Sequence, residues 1–210
     1  MKKSFFLFVC VFVCLSWAGS ALAVMTTIDY AFTADNRAGT IDGVTGLSIS
    51  GSDGFQANII SKTDSWQNYL AGSYTFDYNL GVTYTLQWLV QNDGGTPTSS
   101  NPMAFLGVFS VFNQQYISSA SNPWTVNDSP ATSLGLLSED NVWNKVGNDN
   151  LVTYFSGLGV DPSWIGFTSG DLKSMTVTAS FAAPVPIPGA ALLLGSAMLG
   201  LVGLRRTRMV

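Results

Sequence analysis

Histidine does not occur in this chain, and its two cysteines, Cys10 and Cys14, both lie within the first 15 residues. The first absence removes the commonest general base and the commonest transition-metal ligand. The second leaves everything after the first 15 residues without a disulfide framework, a thiolate metal site or a cysteine nucleophile. Cations are scarce too. Between residues 24 and 183 only Arg37, Lys62, Lys145 and Lys173 are basic, against 13 acidic residues, a net charge of −9. So acidic a stretch argues against nucleic acid and anionic lipid headgroups as partners. No Gly-x-Ser-x-Gly elbow occurs there, and no 12-residue calcium loop with a closing glutamate. The expectation is no enzyme, no cofactor and no metal site.

The two ends hold what the middle lacks, long apolar runs and clustered positive charge. Lys2 and Lys3 precede 11 unbroken apolar residues, Phe5 to Leu15, and Ala21-Leu22-Ala23 supplies a small-x-small pattern. That is the layout of a signal peptide over residues 1–23, cut after Ala23 by signal peptidase, with Ala21 and Ala23 as the recognition residues. The run is too short for an ordinary membrane span of about 20 residues. At the other end, Gly189 to Leu204 carries no charge and Arg205, Arg206 and Arg208 follow. As a helix it would be about 24 Å long, and snorkelling arginines could make up the rest of a ~30 Å hydrocarbon core. The positive-inside rule keeps both basic clusters in the cytoplasm and puts the middle across the membrane.

Ahead of that span stands Val185-Pro186-Ile187-Pro188-Gly189. Two prolines one residue apart hold the chain extended and deny it a helix. Proline motif, apolar span and basic end together resemble the PEP-CTERM sorting signal, which a membrane enzyme called exosortase reads in Gram-negative bacteria. Ile187 stands where the usual motif has glutamate, similar to a known variant of the signal. The resemblance covers residues 184–210. It implies that exosortase cuts near Pro186 and Pro188 and that the transmembrane helix 189–204 is a transient anchor. It implies nothing about activity in the middle.

That middle, residues 24–183, is long enough for one domain with a substantial core. Tyr74, Phe76, Tyr78 and Leu80 alternate with Thr75, Asp77 and Asn79, and Val82 to Val90 repeats the pattern. Such alternation marks half-buried strands. Weaker strand candidates are Thr26–Thr33, Val44–Ser50, Phe55–Ile60, Met103–Phe112, Asn150–Phe155 and Leu172–Phe181. Turn signals fall at Asp53-Gly54, Gln91 to Pro102 and Gly157-Leu158-Gly159. No amphipathic helix stands out between Val24 and Ala183. The fold class expected is all-β: a single antiparallel β-sandwich, jelly-roll-like, flanked by the signal peptide and the transmembrane helix.

Functional candidates in the middle are few. Trp124, Trp143 and Trp164 lie in Pro-, Asn- and Asp-rich contexts, where exposed indoles could stack on sugar rings. The alternative, which we favour, is that they plug the sandwich core. Glu139, Asp140 and Asp149 could supply a glycosidase pair, but adjacent residues on a strand face opposite ways. Asp93, Asp128 and Asp149 sit in turns and read as turn-formers. Asn79 to Leu86 looks like a strand common in carbohydrate-binding jelly rolls. The sequence thus predicts an exported surface or matrix protein with a structural or adhesive role. The alternative is a carbohydrate-binding module engaging exopolysaccharide.

Overall fold

The computed structural model describes residues 24–34, 37–38, 46–59, 69–91, 97–98, 102–121, 123–138, 149–170 and 174–185. In chain order their strands are β1 (Val24–Ala34), β2 (Arg37–Ala38), β3 (Leu47–Gly51), β4 (Gln56–Ile59), β5 (Leu70–Tyr78), β6 (Thr83–Gln91), β7 (Met103–Val111), β8 (Gln114–Ile117), β9 (Trp124–Val126), β10 (Ser129–Pro130), β11 (Ser133–Leu136), β12 (Ser163–Phe167) and β13 (Ser174–Ala182). One helix, α1 (Asp149–Gly157), lies between β11 and β12. Sheet A has the order β11-β12-β7-β1-β5 with β8 also on β7, and sheet B the order β10-β9-β13-β6-β3-β4 with β2 also on β6. Every pairing is antiparallel. The expected all-β sandwich of antiparallel sheets is the fold observed.

Alternation explains why the layers stack. In β6, Tyr84, Leu86, Trp88 and Val90 are buried, and in β13 Met175, Val177, Ala179 and Phe181 are. Ile28, Tyr30, Phe32 and Ala34 of β1 meet them from the opposite sheet in one core. Its centre is aromatic. Trp88 stacks on Trp124 with ring centroids 5.5 Å apart, and Phe105 lies 5.2 Å from Trp88. Two hairpins use two-residue turns with positive φ at both positions, Phe112-Asn113 and Asn127-Asp128. That geometry suits the right-handed twist of the strands it joins.

Sheet A has a second cover. Residues of β7 are buried on both faces: Phe105 and Phe109 point into the sandwich, while Ala104, Leu106 and Val108 point outward beneath Leu151 and Phe155 of α1. The strand expected over Asn150–Phe155 is therefore corrected to this helix. Leu151 and Phe155 share a face at period 2, but equally at the i, i+4 spacing of a helix. The ending settles which applies. Val160 N–H donates to Phe155 O (3.1 Å) and Gly159 N–H to Ser156 O (2.9 Å), with Gly159 at φ +72°. These are the paired bonds of a Schellman helix stop, and Val160 packs against the apolar cluster that holds Phe155.

β8 and β12 both flank β7 on the side away from β1, end to end. Ser118 bridges the join. Its buried hydroxyl donates to Ser163 O (2.7 Å) and accepts from Gly107 N–H (3.1 Å).

Candidate functional site: a clasped pole and a cleft on sheet A

Both ends of the described body leave the fold at one pole. Val24 opens β1 opposite Tyr78. After β13, Ala183 N–H donates to Val82 O (2.8 Å), and Gly81 N–H donates to Pro184 O (3.0 Å). The turn between β5 and β6 therefore clasps the chain up to Pro184. The next residue, Val185, is 75% exposed. Of the residues expected to form a sorting motif this is the described one; Pro186, Ile187, Pro188 and Gly189 lie outside the described residues. So do Arg205, Arg206 and Arg208, Ala21 and Ala23 at the expected leader cleavage site, and the expected span 189–204. Among the described residues no helix is long and apolar enough to cross a membrane.

The pole is braced by a polar cluster. Asn79 Nδ2 donates to Asp53 Oδ2 (2.7 Å), Phe55 N–H to Asp53 Oδ1 (3.1 Å), and Asn79 N–H to the Tyr84 hydroxyl (2.8 Å). The Asn79 side-chain bond, with the Phe55 amide second, holds the Asp53 carboxyl below its usual range. A depressed folded value means this stabilisation is complete above the unfolded carboxylate range and is lost as pH falls through the folded value. Replacing Asp53 with Asn is thus expected to lower stability modestly near neutrality and to flatten its decline between about pH 5 and pH 2, so that variant and parent converge in acid. Urea unfolding across that range checks this, and an unaltered acid slope contradicts it.

The outer face of sheet A carries a cleft of about 270 Å³ beside α1, lined among others by Asp29, Ala31, Ser110, Gln115, Tyr154 and Leu158. Register fixes its floor. Asp29 pairs with Ser110 of β7 on one side and Ser73 of β5 on the other, and Ser110 pairs with Gln115 of β8. One polar residue from each of four adjacent strands thus forms a row. Two residues along each strand, Ile117, Val108, Ala31 and Ala71 make a parallel apolar row. Tyr154 and Leu158 wall the cleft from the helix side. Tyr154 is stacked on Tyr69, with centroids 3.8 Å apart and planes at 23°. Burial, with Tyr69 adding to it, pushes the Tyr154 phenol up, so it is a neutral hydrogen-bonding group across the physiological range.

The stacking role weighed for the tryptophans is corrected at two positions. Trp124 is 1% exposed within the sandwich, and Trp164 is fully buried between sheet A and α1. Neither indole presents a face to a ligand, because each is the largest apolar body available to fill its layer. Trp143 lies outside the described residues, as do Asp93, Glu139 and Asp140. Asp149 begins α1 and Asp128 occupies a hairpin turn. Among the described residues no three carboxylates gather as metal ligands. The cleft itself was missed. Its signals were the run Met103 to Phe109 in β7, free of polar side chains, which calls for a second cover, and Tyr69 and Tyr154, which look unremarkable in sequence.

What these features define is an antiparallel β-sandwich with one helix-backed face and both ends at one pole. No family model, curated protein or solved structure matches the chain.

Proposed function

We propose that this chain is an exported cell-surface or extracellular-matrix protein with a structural or adhesive role. A signal peptide over residues 1–23 takes it through the inner membrane. The C-terminal helix 189–204 holds it there with the sandwich outside the cytoplasm until exosortase acts at the proline motif. In finer terms the fold is a jelly-roll-like sandwich, a description supported by a chain that passes repeatedly from one sheet to the other from β4 onward. One observation carries the reading: the body is clasped up to Pro184, and the motif begins in solvent at Val185. A protease or transferase needs such an extended, accessible segment, and a segment folded into a sheet would deny it.

Deleting the host's exosortase tests the proposal. The full-length chain is expected to accumulate in the inner-membrane fraction, and the processed form to disappear from the surface or matrix. Unchanged distribution in the deletion strain contradicts it.

A second reading is favoured by the cleft: a carbohydrate-binding module that engages exopolysaccharide. The aromatic wall there is Tyr154 backed by Tyr69, in place of the tryptophans.

A further inference from the structure

Resting on that second reading, we infer that the cleft on sheet A binds an uncharged hexose polymer laid across the strands. Neighbouring strands are about 4.8 Å apart, close to the length of one pyranose ring. A glycan running perpendicular to the strands therefore meets a fresh polar side chain at each ring: Gln115, Ser110 and Asp29 within the cleft, then the exposed Ser73 beyond its edge. Pyranose rings have hydroxyl edges and CH faces. The polar row serves the edges, because a carboxylate accepts, an amide does both, and serine hydroxyls do both. The CH faces meet the exposed Ala71 and the Tyr154 ring, while Ala31 and Val108, buried beneath α1, close the back of the cleft.

The wall is built before the ligand arrives. Leu151 and Phe155 dock α1 on β7 and β1, and Tyr69 packs flat against Tyr154. Binding then orders few side chains, which lowers its entropic cost. Charge selects the ligand class. Among the described residues no basic side chain lines the cleft, Asp29 lies in its floor, and the stretch from residue 24 to 183 carries −9. A uronate or sulfated polymer would meet repulsion from that net charge and from Asp29.

The test uses the full chain in a detergent without a sugar headgroup. Cellohexaose, maltohexaose and mannohexaose are titrated by calorimetry, with alginate as the acidic comparison. At least one neutral hexasaccharide is expected to bind at millimolar concentration or below, and alginate not at all. Asp29 and Gln115 are exposed, so the double variant D29N/Q115A is expected to keep its melting temperature while binding weakens about tenfold or more. Tyr154→Phe, which keeps the ring, is expected to lose less. Neutral binding unaffected by D29N/Q115A overturns this site and leaves the carbohydrate reading standing. Binding of alginate alone overturns the charge argument and with it the proposal. No binding of any polymer overturns both.

Discussion

Replacing Trp88 with alanine is expected to cost about 3–5 kcal/mol of folding stability, the range for deleting a large aromatic from a core that cannot collapse around the void. Trp88 is 1% exposed and touches rings from both sheets: Phe32, Phe105 and Phe109 of sheet A, and Trp124 of its own sheet. Its removal therefore opens a hole where four aromatic contacts meet, and neighbours fixed in two pleated layers have little room to follow. Against a typical total of about 5–15 kcal/mol, the variant is marginal at best. Trp88→Phe separates packing from polarity. The indole Nε1 meets no acceptor among the described residues, so the smaller ring is expected to recover more than half of the loss. Urea unfolding of the three proteins checks both statements. An alanine variant within about 1 kcal/mol of the parent would place Trp88 outside a packed core.

The second large effect is expected at Gly166. It lies in β12 opposite Ala104 of β7, at φ +154°, a conformation that side chains rarely adopt. A Cβ there would overlap the Met103 carbonyl oxygen and press on Ala104 Cα at 3.0 Å. Both obstacles are backbone, so no side chain can swing aside. Gly166→Ala is expected to part β12 from β7 at a cost of about 3–5 kcal/mol, combining backbone strain with overpacking. The damage should spread through Trp164, which sits two residues away beneath α1. Gly159→Ala is the matched comparison. Its φ is also positive, but nothing lies within 4 Å of the added carbon, so only the conformational cost of about 1–2 kcal/mol applies. Amide exchange of Ile165 and Phe167 in the Gly166 variant reads the local effect. Retained protection there would show that the strand pairing tolerates a Cβ.

How much of this was legible depended on whether one face or two were covered. Strands β5, β6 and β13 have one buried face, and their alternation announced them within a few residues of their observed bounds. Where a second layer covers a strand the alternation vanishes, as in Met103 to Val111. Tertiary structure then has to supply the reason, here Leu151 and Phe155 of α1. The helix was misread because Leu151 and Phe155 satisfy both periods over so short a run, and nine residues are too few for periodicity to arbitrate. The short strands β8 to β12 were missed because their pairing is set by long-range register and by positive-φ turns. One of those turns begins with Phe112, a residue no turn rule selects. Its ring packs on Tyr78 at 4.7 Å and on Phe181 at 6.0 Å, and that packing offsets the backbone cost.

The cleft was illegible for a related reason. Gln115, Ser110, Asp29 and Ser73 are scattered over 87 positions of sequence and meet only through the register of four strands. The tryptophans drew attention by type, yet large aromatics in a small sandwich go first to the interior. Tyr69 and Tyr154 carry a hydroxyl that tolerates water, and they form the aromatic surface instead.

The partition of the chain into leader, sandwich and removable tail is tested most directly by the intact mass of the mature protein recovered from its final location in the host. The account predicts an N-terminus at Val24 and a C-terminus upstream of Arg205, close to the proline pair. A mature mass that includes Arg205 to Val210 would contradict it.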